Sequence, residues 1–167
     1  LAILSSIGFR ANVTFDDVLV EGIEKIDKSD IQYAKDMGYT IKLLTVALRQ
    51  ENGIALNVYP AFLPDNHPLS SVKGAYNAIY VTGNSVDDVM FYGRGAGALP
   101  TASAVMGDVI STAQHILNGS TGTGMIMTDT KRIPFYSSLK LQNSYYFRLD
   151  VDDVTGVLSQ IAAAFAE

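Results

Sequence analysis

Phe91-Tyr92-Gly93-Arg94-Gly95-Ala96-Gly97-Ala98-Leu99-Pro100-Thr101 is the stretch on which the reading of this chain turns. Glycines at every second position let another backbone or a flat ligand approach closely. Pro100 suits the first position of a helix, where a missing N–H costs nothing. Behind it, Ala102, Val105, Met106, Val109, Ile110, Ala113, Ile116 and Leu117 recur at helical spacing, and Asn118-Gly119 supplies a stop. A strand passing through a glycine turn into a helix N-terminus is a common approach for anions and nucleotides. The spacing is not G-x-G-x-x-G, however, and no acidic residue follows a next strand at the required distance. The string alone reads first as a tight strand-to-helix turn packed under a sheet, and only second as a ligand-approach turn.

Upstream, Leu1 to about Arg10 reads as the end of a helix with Gly8 near its exit, and Val13–Ile23 as irregular and strand-like. Ser29-Asp30-Ile31-Gln32 has the form of a capping box. The short helix it opens carries Ile31, Ala34 and Met37 on its apolar face and stops at Gly38. Thr40–Arg49 and Ile54–Tyr59 form a hairpin across Gln50-Glu51-Asn52-Gly53, since Asn-Gly between apolar runs is a strong turn signal. Ile54, Leu56 and Val58 alternate, which predicts one buried face. Pro60, Pro64 and Pro68 mark a loop, and Asn77–Thr82 with Val86–Tyr92 forms a second hairpin around Gly83-Asn84. These elements predict an α+β fold, a mostly antiparallel or mixed sheet covered by helices on one face. The sheet's open edges and bare face leave a surface that a second copy of the chain would cover.

Residues 118–143 change character. Asn118-Gly119-Ser120-Thr121-Gly122-Thr123-Gly124 is linker-like. Beyond it Tyr145, Phe147, Leu149 and Val151 alternate as a strand, and Asp152-Asp153-Val154-Thr155-Gly156 turns into a helix carrying Val157, Leu158, Ile161, Ala162 and Phe165 on one face.

A hydrophobic content of 48% with 17% charged residues describes a packed chain rather than a disordered one. A net charge of −5 without any basic run argues against nucleic acid as a partner. With no cysteine, there is no disulfide scaffold and no Cys-ligated metal. The absence of a signal peptide or long apolar run leads us to expect a cytoplasmic chain without a membrane partner. Leu1 is not an initiator Met and opens inside an apolar segment, and the helix running to Glu167 has no stop signal, so a segment of a longer protein is expected.

His67 sits in the proline-rich loop and His115 near a helix C-terminus, neither with a carboxylate at ligand spacing. Asp16-Asp17, Asp87-Asp88 and Asp152-Asp153 are adjacent pairs. Neighbours on a strand point to opposite faces, so adjacency alone does not let them share a proton. They read as turn and cap residues, and no metal site is expected.

Taken whole, Met90–Val109 closely resembles the closing segment of the catalytic domain of homoserine dehydrogenases. Val13-Thr14-Phe15-Asp16-Asp17-Val18 with Val20-Glu21-Gly22-Ile23 agrees in order and spacing. So do Asp30-Ile31 through Ala34-Lys35 to Gly38–Leu44, and His67-Pro68-Leu69. The resemblance divides the chain into residues 1–117 as part of the catalytic and dimerisation domain, 118–143 as a linker, and 144–167 as the start of a ferredoxin-like ACT regulatory domain. In that family a proline usually precedes the glycine that Gly156 matches; here it is Thr155, which makes a less rigid turn.

Such a resemblance implies an oxidoreductase of threonine and methionine biosynthesis that interconverts homoserine and aspartate 4-semialdehyde with NAD or NADP. It further implies a homodimer with threonine as effector. By position, Gly97 matches the glycine whose backbone meets the cofactor, flanked by Gly95, Ala96 and Thr101, while Asp153 and Gly156 fall in the effector loop. The family's substrate-binding acidic residues and its acid/base lysine match positions just upstream of Leu1, so no catalytic residue is expected within the chain and residues 1–167 alone are expected to be inactive. A non-enzymatic amino-acid-sensing or dimerisation module is the alternative. The two cofactors are not distinguished, because the discriminating residues belong to a domain outside this chain.

Overall fold

In the computed structural model, which describes residues 1–120, 133–136 and 143–166, the chain is α+β. Helix α1 (Ala2–Phe9) leads through a 3-10 turn at Phe15–Asp17 to the short strand β1 (Leu19–Val20). Helix α2 (Lys28–Asp36) precedes the long hairpin of β2 (Tyr39–Gln50) and β3 (Gly53–Pro64). A 3-10 turn at Pro68–Ser71 leads to β4 (Tyr76–Gly83) and β5 (Asp87–Arg94), then α3 (Ala98–Leu117); α4 (Val157–Ala164) follows near the C-terminus.

The expected single sheet is two. One has the order β1-β3-β2, with β1 parallel and β2 antiparallel to β3; the other is the β4-β5 hairpin. The turn at Pro68–Ser71 ties them together. Lys42 Nζ donates to the Val72 carbonyl, and the His67 ring lies 5.5 Å from that of Tyr80.

Strand β3 runs through Pro60 to Pro64, where the three prolines suggested a loop. Val58 O accepts from Glu21 N on the β1 side, and even-numbered residues of β3 present their backbone groups to that same side. Pro60 pairs with Leu43 across β2. Its missing N–H therefore faces away from β2, and no bond of the β2-β3 ladder is lost.

The core lies at the start of β3. Ile54, Leu56, Ala11 and Val13 form its buried centre, with Leu1, Ala2, Phe9, Val18, Ala47 and Ile133 packed around it. Ala55 and Asn57 are buried as well, so both faces of β3 are covered here and the expected single buried face is corrected. Ile54 N donates to Pro134 O, and Ile54 O accepts from Tyr136 N. Residues 133–136 thus dock as a strand-like extension of the sheet edge, whereas the sequence reads them as linker; 121–132 and 137–142 lie outside the described residues. Gly53 is obligatory for this docking, because a Cβ there would stand 2.2 Å from Pro134 O.

Several local expectations shift. Helix α2 is capped by Asp27, not Ser29: Asp27 Oδ1 accepts from Ser29 N at 2.8 Å, and Asp30 Oδ2 from Asp27 N at 3.0 Å. Its buried residues are Asp30 and Ala34, four apart, while Ile31 and Met37 are exposed. Helix α1 ends at Arg10 in a left-handed conformation (φ 52°), after Gly8. Helix α3 begins at Ala98, so Pro100 sits two positions inside the start, still within the turn whose N–H groups have no intrahelical acceptor. None of its residues is buried, and its apolar face does not cover a sheet. Residues 143–151 form no strand ladder among the described residues.

Ile54 is completely buried. Ile54→Ala is expected to cost about 2–5 kcal/mol in urea unfolding, whereas Leu117→Ala, at the exposed end of α3, should stay within about 0.5 kcal/mol.

Candidate functional site

Strand β5 delivers the chain into the glycine turn. Tyr76 and Tyr92 stack at 4.8 Å with their planes 3° apart, and Arg94 lies over the Tyr76 ring at 5.0 Å. Gly95 N donates to Ala75 O at 3.2 Å. Asn77 lies directly beneath Gly95, its amide nitrogen 2.0 Å from where a Cβ would be. The close approach that glycine permits at 95 is therefore already used inside the fold.

Gly97 differs. Its φ of 126° and ψ of 149° belong to a region that L-residues rarely adopt. This conformation turns the chain from β5 into α3, and Gly97 O accepts the first helical bond, from Thr101 N at 3.1 Å. No side chain caps the helix. Gly95, Ala96, Gly97, Ala98, Leu99 and Thr101 are all exposed. The four candidate cofactor residues thus come together at one open, uncapped helix N-terminus, a surface suited to a flat or anionic group. The residues present fit such a ligand.

The other candidates, Asp153 and Gly156, also meet. They line an open depression of about 410 Å³ with Val151, Asp152, Val154, Val157, Leu158 and Ser159. Gly156 (φ 97°) is the residue from which α4 departs.

Of the remaining polar groups, His67 Nδ1 accepts from Leu69 N at 3.1 Å and caps the Pro68–Ser71 turn. Asp88 accepts hydrogen bonds from Tyr80 and Thr82, the latter at 2.7 Å, which hold its carboxyl below the usual range while the Tyr80 phenol is raised. Asp87 is not part of this group. Among the described residues no His, Asp or Glu cluster is arranged to hold a metal ion, and no helix is long and apolar enough to cross a membrane.

Residues 1–110 match the family model of homoserine dehydrogenase. The chain belongs to the homoserine dehydrogenase family. It is 38% identical over 167 residues to the homoserine dehydrogenase of Bacillus subtilis, covering 100% of this chain and 38% of that protein. Against the Corynebacterium glutamicum homoserine dehydrogenase it is 40% identical over 171 residues, covering 99% of this chain and 38% of that one. The crystal structure of a homoserine dehydrogenase from Thiobacillus denitrificans superposes with a TM-score of 0.85 at 33% identity, over 99% of this chain and 39% of that one. For S. aureus homoserine dehydrogenase at pH 7.5 the TM-score is 0.64 at 36% identity, over 75% and 31%. The chain therefore spans less than two-fifths of the length of these homoserine dehydrogenases.

One cluster was missed by the sequence reading. Arg148 grips Asp27 with both terminal nitrogens at 2.6 Å. The same side chain reaches Ser29 Oγ at 2.6 Å and the buried Asp30 at 3.1 Å. Tyr146 donates to Asp30 at 3.2 Å and stacks on Phe62 at 4.6 Å. The available signal was the alternation at 145–151: once its apolar set is assigned to one side, Tyr146 and Arg148 fall together on the other.

The Arg148 guanidinium, with help from the Ser29 hydroxyl, holds the Asp27 carboxyl well below the ordinary aspartate range. A depressed carboxylate contributes stability that is full above its unfolded pKa of about 3.9 and is lost as pH falls toward the folded value. Asp27→Asn keeps a competent N-cap but removes the charge. Urea midpoints should therefore be lower in the variant at pH 7, with the gap to wild type closing between about pH 5 and pH 2.

Proposed function

We propose that this chain is the part of a homoserine dehydrogenase that carries the cofactor-facing turn and the start of a regulatory unit. In the whole protein, homoserine and aspartate 4-semialdehyde are interconverted, and bound NAD or NADP supplies the hydride carrier. The observation that carries the reading is the exposed, uncapped turn at Gly95–Gly97 in a chain of this family. Backbone without a Cβ at 97 leaves room for the nicotinamide side of the cofactor, and the first N–H groups of α3 favour a negative or electron-rich group. Family membership favours this enzyme reading over a free-standing sensing module.

Acid–base catalysis falls outside residues 1–167 in this scheme. The turn offers Tyr92, Arg94 and Thr101 as polar side chains, and the family's acid/base lysine matches a position before Leu1. The domain division at 117 and 144 remains part of this reading. Asp153 and Gly156 belong to an effector site for threonine: the depression beside α4 presents a helix N-terminus to a carboxylate and two aspartates to an ammonium group.

A homodimer accounts for the surface. Val105, Met106, Val109 and Ile110 form an exposed apolar band on α3, and Ile79, Val81 and Phe91 are exposed on the β4-β5 hairpin. Exposed apolar side chains grouped in this way mark an interface. Its covering includes a second copy and the remainder of the protein, and a cytoplasmic enzyme is the corresponding setting.

Residues 1–167 alone should show no homoserine oxidation with either cofactor, since positioning and acid–base catalysis each supply orders of magnitude in rate; turnover would refute the assignment of the chemistry upstream. In the family-length protein, Ala96→Val is the clean probe, because Ala96 is exposed and its backbone is unstrained, whereas any substitution at Gly97 adds strain of its own. The expected result is a KM for the cofactor raised about tenfold with an unchanged melting temperature, as removal of about 1.4 kcal/mol of binding would give. An unchanged KM and kcat would reduce the turn to a structural role.

Sedimentation of residues 1–167 at micromolar concentration should give twice the 18.0 kDa chain mass. A clean monomer would mean that other parts of the protein cover these apolar faces.

A further inference from the structure

Residues 145–148 are a two-sided bridge. On one side, Tyr146 and Arg148 engage α2 and Phe62 through the contacts described above. On the other, the Phe147 ring lies 5.4 Å from Phe165, just past the end of α4, and 6.1 Å from Tyr145. Helix α4 begins at the depression lined by Val151–Ser159, whose first residue is three positions beyond Arg148. Helix α2 in turn buries Ala34 and packs on β2. A continuous run of packed and hydrogen-bonded groups therefore joins the depression to the central hairpin: α4, Phe165, Phe147, Arg148, Asp27 and Asp30, then α2.

Arg148 is the narrow point of this run. It is the one cation on the 143–150 segment that forms ion pairs with the Asp27 cap and Asp30 of α2 among the described residues, and Asp30 is buried. One N–H···O bond and a second nitrogen–oxygen contact, both at 2.6 Å to Asp27, fix the guanidinium plane as well as its position. A lysine would keep the charge and lose that geometry. The sequence separation of about 120 residues between the partners makes the contact a product of docking rather than of local structure.

We propose that Arg148 is a latch: it holds residues 143–166 on the N-terminal turn of α2 and sets how strongly a ligand in the Val151–Ser159 depression acts on the rest of the protein. The second half of this proposal rests on the effector reading given above; the first half does not. Arg148 touches neither the glycine turn nor the depression, so it is a positioning residue. Coupling of this kind is a difference between two docked arrangements, and both sites must bias it.

The test uses the family-length protein, with Arg148→Met, Arg148→Lys and Asp27→Asn compared with wild type. Three quantities are read: threonine binding by calorimetry, the threonine concentration for half-inhibition, and amide hydrogen exchange of residues 27–36 and 143–150. Arg148→Met and Asp27→Asn should bind threonine within about threefold of wild type yet need at least about fivefold more for half-inhibition, the lower end of ordinary allosteric coupling. Arg148→Lys should fall between. Uninhibited kcat should not change. Without threonine, exchange at 27–36 and 143–150 should be faster in both variants. Unchanged half-inhibition in both variants overturns the coupling role, and unchanged exchange overturns the latch. If wild type neither binds nor responds to threonine, the effector reading fails, and the exchange data alone decide whether Arg148 is a latch. Should Arg148→Met not fold, Asp27→Asn carries the comparison, because asparagine preserves the cap of α2.

Discussion

Ile54 is the point on which the fold depends. It is fully buried between the segment after α1 and residues 133–136, and both of its backbone groups are bonded on the side away from β2. Gly53 makes that arrangement possible by leaving room for Pro134 O. One residue position thus joins the N-terminal helix, the long hairpin and a segment some eighty residues away. Outside this centre few large side chains are fully enclosed among the described residues, and much of the remaining surface is apolar.

The glycine turn lies at the opposite extreme. The glycines at 95 and 97 serve different physical ends. Gly95 accommodates Asn77 from beneath, and Gly97 supplies a backbone conformation that starts α3 without a side-chain cap. The turn is held by β4 and β5 through the Tyr76–Tyr92 stack and Arg94, while its outer surface stays open. A rigid support under an exposed backbone is what a binding turn requires. The same region shows why an alternating glycine string is ambiguous when read alone: close approach from inside the fold and close approach by a ligand leave the same trace.

Much of the local architecture was legible. Asn52-Gly53 and Gly83-Asn84 mark the two hairpins, and Asn118-Gly119 ends α3 where expected, because turn and stop residues act through their own backbone energetics. The capping of α2 was misplaced by two residues because Asp27 and Ser29 are both competent caps, and it is the Asp27 carboxylate that accepts from Ser29 N and Asp30 N. The strand at 145–151 was misread for a related reason. Alternation was correctly seen, yet a strand needs a ladder partner, and here the alternating side chains divide between α2 and Phe165 instead.

The chain's own sequence determined its family, the order of its elements, its hairpin turns and the location of the glycine turn, since each of these is written in short-range chemistry and motif spacing. Tertiary structure alone decided that the strands separate into two sheets, that Pro60 is tolerated within β3, that residues 133–136 belong to the sheet edge, and that Arg148 joins Asp27. The reason is the same in every case. Pairing and burial depend on which groups meet across long stretches of chain, and a residue's intrinsic preference is silent about its distant partner. The apolar face of α3 makes the point most directly: its period specifies a helix with something to bury, and nothing in that period says what will cover it.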